Sequence, residues 1–139
     1  MADMNDSFNE VTAEMLKVIS DYDSVTGFQG AYNIRQDSMC AGRKNSENIT
    51  IESKTDKPGI NIRVKPGTKG ETVYIPACVT HSNVDDLVYN DFFIGEGADV
   101  TIVAGCGVHS DGSETARHNG IHRFFLEKGA KVLYKEKHI

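Results

Sequence analysis

Apolar positions along the chain follow two rhythms, and the change falls near residue 30. Phe8, Val11, Met15, Val18, Ile19 and Tyr22 recur at helical spacing and mark one face of an amphipathic helix. Ser7 and Glu10 stand where a capping box would close its first turn, each satisfying a free backbone N–H. Ser24, Gly27 and Gly30 end the pattern. Residues 1–25 thus read as a helix covering one end of a core, with docking against a partner as the alternative.

From residue 31 the period becomes two. Ile49 and Ile51 alternate with polar neighbours, as do Ile60, Ile62 and Val64, then Val73 and Ile75, then Val100 and Ile102. Glycine or proline punctuates the runs, at Lys57-Pro58-Gly59, Lys65-Pro66-Gly67, Gly95-Glu96-Gly97 and Gly105-Cys106-Gly107. Short alternating strands separated by turns predict an all-β body over residues 26–139. The stretch Phe92–Val100 aligns without gaps to Phe124–Val132, an offset of 32 residues (124 − 92). A recurring strand–corner–strand unit points to a solenoid, with a jelly roll or cupin as alternatives.

Composition narrows the function classes. The chain has 139 residues, enough for one domain or for a piece of something larger. Its net charge of −5 sits wholly in residues 1–25, where six acids face one base; residues 26–139 carry 14 acids and 14 bases. No basic block exists for nucleic acid or an anionic membrane, and no apolar run is long enough to span a bilayer. The start MADMNDSFNE lacks the basic and apolar regions of a signal peptide, and three widely spaced cysteines fit a reducing compartment, so a cytoplasmic location is expected.

Two Cys-x-x-His units supply metal-type chemistry: Cys78 with His81, and Cys106 with His109. Two thiolates and two imidazoles suit tetrahedral zinc or iron. On a regular strand, residues three apart face opposite sides, so a turn must intervene; Gly105 and Gly107 would allow one around Cys106. Buried thiols with unrelated surface histidines are the plain alternative. His118-Asn119-Gly120-Ile121-His122 loosely imitates a cupin metal set, but Asn119-Gly120 reads as a turn flanked by solvated imidazoles. Asp85, Asp86 and Asp91 read as turn formers and solvated edges. No nucleophile stands with a base and an orienting group, so an enzyme is not expected.

Seven phrases, taken in order, resemble one family. They are Gly30-Ala31-Tyr32-Asn33-Ile34-Arg35, Ser46-Glu47-Asn48-Ile49, Lys65-Pro66-Gly67-Thr68-Lys69, Asp86-Leu87-Val88-Tyr89-Asn90-Asp91-Phe92, Gly105-Cys106-Gly107-Val108-His109, Arg117-His118-Asn119-Gly120-Ile121-His122 and Glu136-Lys137-His138. Together they resemble the short members of the SufB/SufD family of iron–sulfur cluster assembly. The resemblance implies a right-handed parallel β-helix (solenoid) preceded by one amphipathic α-helix. It also implies a scaffold for a nascent cluster, working in a cytoplasmic complex with the SufC ATPase. Pairing as SufB–SufD or as a homodimer is implied too. Family chains are longer and dock SufC through a C-terminal helical region, so this chain is expected to correspond to the N-terminal half, truncated or naturally abbreviated. Iron or a cluster would be held transiently, with Cys106 and His109 first in line and Cys78, His81, His118 and His122 behind them. A β-solenoid interaction or dimerisation module is the alternative, and a cupin-like metal-binding protein a more distant one.

Overall fold

The computed structural model describes residues 8–20, 22–23, 25–81, 85–109 and 117–139. Helix α1 (Glu10–Ile19) is capped by Asn9, whose side chain accepts from the Thr12 N–H at 2.9 Å. That replaces the expected capping box, whose Ser7 lies outside the described residues. The buried row is Thr12, Met15, Leu16 and Ile19, the i, i+3, i+4, i+7 set. Val18, expected on this face, is 48% exposed, and Leu16 is fully buried instead.

Two antiparallel hairpins follow: β1 (Ala31–Gln36) with β2 (Met39–Lys44), and β3 (Ile49–Ser53) with β4 (Gly59–Val64). The first turns at Asp37 and Ser38, both at positive φ as a type I′ hairpin turn requires. Thereafter β5 (Lys69–Val79), β6 (Asp85–Ile94), β7 (Asp99–Val108), β8 (Arg117–Leu126) and β9 (Lys131–His138) alternate between two sheets. One sheet has the order β2-β1-β5-β7-β9 and the other β3-β4-β6-β8; the hairpins make both mixed, while β1, β5, β7 and β9 run parallel, as do β4, β6 and β8. The body is therefore β-rich, as its alternation predicts.

The 32-residue repeat is a structural register. Phe92 pairs with Phe124, Ile94 with Leu126, and Val100 with Val132. The corners stack in three layers, with Gly67, Gly97 and Gly129 at φ of 76°, 70° and 71°. The Gly67 N–H donates to Glu96 O, and the Gly97 N–H to Lys128 O. Between the sheets lies an apolar core that includes Ile62, Val73, Phe92, Ile94, Val100 and Ile102. A second cluster joins α1 to the outer face of the five-stranded sheet, through Leu16, Ile19, Ile34, Tyr74, Cys78 and Val103. Gly105 and Gly107 belong to this contact. A Cβ on Gly105 would come within 2.7 Å of Ile19 O, and one on Gly107 within 2.6 Å of Met15 Sδ. These glycines sit within β7 and let the helix lie close; no turn forms around Cys106.

Candidate functional site: a polar cavity between the sheets

Strand alternation sends every second side chain into the space between the sheets. On β7 and β9 this row ends in Cys106, Glu136 and His138; on β6 and β8 it ends in Asp86, Asn90, His118 and His122. Where the row turns polar the sheets border an open cavity of about 260 Å³, walled by Asn90, Cys106, His118, His122, Glu136 and His138 together with Ile75, Asn119 and small residues. Gly120 contributes the room: a Cβ there would meet the His122 ring at 3.1 Å.

Three of the six candidate ligands therefore meet here, Cys106, His118 and His122. The other three lie elsewhere. Cys78 is buried under α1, because Ala77 is the register partner of Cys106 and the two thiols project from opposite faces of the sheet. The His81 ring is 62% exposed, its Nε2 3.9 Å from Asp37 Oδ2. His109 is exposed beyond the end of β7. His118-Asn119-Gly120-Ile121-His122 is continuous strand, paired through Asn119 with Leu87 and Gly120 with Val88, so the expected turn does not form. His118 and His122 consequently share the interior face. Their side chains are 10% and 21% exposed, far from solvated.

Glu136 links the cavity groups. Tyr134 donates its hydroxyl to Glu136 Oε1 at 2.6 Å, His138 Nε2 lies 2.6 Å from Oε2, and His122 Nε2 lies 3.8 Å from Oε1. The Tyr134 hydrogen bond, with help from His138, holds the Glu136 carboxyl below its ordinary value. Burial pulls His122 below 6.5, leaving a neutral imidazole at physiological pH. Burial pushes the Cys106 thiol up to about 11, so it rests protonated. Asn90 Oδ1 is buried and, among the described residues, meets no hydrogen-bond donor. Thiol, imidazole and carboxylate donors suit a borderline transition metal such as ferrous iron or zinc. Among the described residues no group of three or more His, Cys, Asp or Glu is already arranged as a ligand set. A metal would have to draw these side chains together and displace the thiol proton.

The aspartates depart furthest from expectation. Asp86 and Asp91, expected as solvated edges, are 1% and 3% exposed. Arg35 grips Asp86 through Nε and Nη2 at 2.8–3.0 Å, and His118 Nδ1 lies 2.8 Å from Asp86 Oδ2. Burial alone would raise the Asp86 carboxyl; the His118 and Arg35 hydrogen bonds outweigh it and hold it well below the carboxylate range. Asp91 is held low in the same way by Arg123 and Lys54. Asp86 thus fixes the His118 ring from behind. The signal for it lay in the sequence, since 86, 88, 90, 92 and 94 form one alternating row.

Among the described residues, no helix is long and apolar enough to cross a membrane. No protein-family model and no solved structure matches the chain. Two curated archaeal proteins do. The chain is 32% identical over 89 residues to an iron-sulfur cluster assembly SufBD family protein of Methanothermobacter thermautotrophicus, covering 63% of this chain and 21% of that relative. It is 33% identical over 98 residues to an iron-sulfur cluster assembly SufBD family protein of Archaeoglobus fulgidus, covering 69% of this chain and 26% of the relative. The matched stretch therefore spans about a fifth of the first relative's length and about a quarter of the second's. By these two matches the chain is a homologue, over that stretch, of the SufB/SufD-like iron–sulfur cluster assembly proteins whose phrases its sequence resembles.

Proposed function

We propose that the chain is a non-catalytic, cytoplasmic scaffold segment for iron–sulfur cluster assembly, and that iron or a nascent cluster is its cargo. The observation that carries this is the meeting of Cys106, His122, Glu136 and His138 around one cavity, in a chain homologous to assembly proteins. Cys106 supplies the thiol and His122 a neutral imidazole, with His118 oriented beside them by Asp86. Alternating parallel strands and stacked corners support reading the body as coils of a right-handed parallel β-helix. Work with a SufC-type ATPase, and pairing with a SufB/SufD-type partner or a second copy, belong to the same reading.

Anaerobic reconstitution with ferrous iron and sulfide tests it. Absorbance and iron content are compared for the parent chain, Cys106→Ala and His122→Ala. Loss of most loading in both variants, with unchanged circular dichroism, is expected. Equal loading in all three chains overturns the proposal.

A second reading rests on the outer surface of β8 and β9. Ile121, Phe125 and Leu133 are 43%, 44% and 56% exposed, and both strands lie at sheet edges. An interaction module would use them for pairing. Light scattering after size exclusion separates the readings, because a strictly monomeric chain at high concentration counts against pairing.

A further inference from the structure

We propose that the chain carries a second binding site, for a phosphate group, in a basic pocket between the β1–β2 hairpin and the turn from β3 to β4. The pocket has a volume of about 210 Å³ and shares no lining residue with the polar cavity. Four cations reach its wall, Arg35, Arg43, Lys54 and Lys57, beside the hydroxyls of Ser38 and Ser53, and no carboxylate does. Asp56, the acid of the adjoining turn, is exposed and stands outside the wall.

The cations differ in how they are balanced. Arg35 is neutralised by Asp86. Lys54 shares the single carboxylate of Asp91 with Arg123, so that trio keeps an excess positive charge. Arg43 and Lys57 meet no carboxylate among the described residues. Arg43 is instead held by neutral acceptors, with Nε donating to Asn33 Oδ1 at 2.7 Å and Nη2 to Ser53 Oγ at 3.0 Å. Lys57 Nζ lies 4.9 Å from the centroid of the Tyr89 ring. Neutral partners fix a guanidinium without cancelling its charge, and this one keeps three N–H donors in a planar fork. The cost of ordering a long side chain has thus been met before any ligand arrives.

A concave site with fixed donors, uncompensated charge and two hydroxyls fits a tetrahedral dianion better than a single carboxylate. The pocket is also too large for a phosphate alone, leaving room for the body of a small phosphomonoester. Positive excess here contrasts with a chain whose net charge is −5. This proposal stands apart from the cluster reading and neither needs nor supports it.

The test is titration of the full chain with inorganic phosphate, and separately with adenosine 5′-monophosphate, followed by calorimetry and ³¹P NMR at constant ionic strength. Saturable binding is expected for at least one of them. Lys57→Gln and the charge-conserving Arg43→Lys should each weaken it by about tenfold, the worth of one charge-assisted hydrogen bond. Arg63→Gln, which removes an exposed arginine paired with Glu52, should leave it unchanged. Tighter binding of the monophosphate identifies a phosphorylated small molecule, and equal or weaker binding identifies the free anion; either supports the site. Absence of saturation with both probes overturns it, as does equal weakening by Arg63→Gln. Lys57→Gln gives up only the cation contact with the half-buried Tyr89 ring and no hydrogen bond of the hairpin, so it keeps the test decisive should Arg43→Lys disturb the hairpin.

Discussion

On β7 the residues facing the opposite sheet run Val100, Ile102, Ala104, Cys106; on β9 they run Val132, Tyr134, Glu136, His138. Across the gap, β6 runs Ile94, Phe92, Asn90 with Asp86 beyond, and β8 runs Leu126, Phe124, His122 with His118 beyond. One set of ladders therefore builds two unlike regions. Near the corners the interior is apolar, buried on β6 and β7 and partly exposed on the edge strand β8, where Phe124 and Leu126 are 37% and 48% exposed; farther along the strands it is a polar cavity. The backbone is equally regular in both, so the difference lies only in which side chains the alternation delivers. Stability should reside in the first region and ligand chemistry in the second.

The largest effects should come from breaking the apolar end. Phe92 is fully buried and stacks on Phe124, ring centroids 4.8 Å apart. Phe92→Ala should cost about 3–5 kcal/mol in denaturant unfolding, from lost transfer energy plus a cavity. Asn90→Ala, one step along the same row, should cost about 1 kcal/mol or less, since its contact with His122 is 3.4 Å and Oδ1 is already unpaired. Equal costs at the two positions would erase the distinction between the regions.

Asp86 qualifies the division, because it sits at the polar end yet is part of the framework. Asp86→Ala leaves the half-buried Arg35 guanidinium without its partner and should destabilise by about 3 kcal/mol. Adding Arg35→Met should recover much of that loss, since the unpaired charge goes with it. If the double variant is no better than the single one, the penalty comes from His118, which loses its orienting carboxylate.

Acid should act on the polar groups in two steps and spare the apolar end. His122 is depressed in the folded chain, so the unfolded chain binds its proton first, and stability should begin to fall as pH drops through about 6.5. Asp86 and Asp91 are also depressed. Their contribution is complete above the unfolded carboxylate value of about 4 and drains away as pH falls below it. Urea midpoints measured across pH should show both steps. His122→Gln should remove the upper one, and Asp91→Asn should flatten the lower. A single step surviving unchanged in both variants would contradict the assignment.

How much of this was legible depends on whether the signal was local. The helix was legible, but its exact face was not, because Val18 and Leu16 compete for one stripe and only contact with β7 decides. The repeat was legible because stacked strands put Phe92 beside Phe124, so sequence similarity and register coincide. Asn119-Gly120 misled, because a turn propensity of two residues yields to a strand paired along its length with Leu87 and Val88. Gly105 and Gly107 misled likewise: their spacing of two marks a strand face pressed against a helix. The separation of Cys78 from Cys106 was not legible at all. It follows from pairing Ala77 with Cys106, a register known only once the strands are placed.

The smallest stability change should sharpen the comparison most. His138 ends β9 with its side chain 64% exposed, and its one marked contact is Glu136 Oε2 at 2.6 Å. An exposed pair of this kind contributes little, so His138→Ala should shift unfolding by less than about 0.5 kcal/mol. Glu136 keeps the Tyr134 hydroxyl, so the remaining wall of the cavity should hold its shape. If the polar end exists for cargo, iron loading in the reconstitution assay should nevertheless fall well below that of the parent chain. Phe92→Ala, assayed below its unfolding midpoint, should load iron normally despite its much larger stability cost. Reversal of that order, with loading tracking stability and indifferent to His138, would mean that the polar residues merely finish the fold.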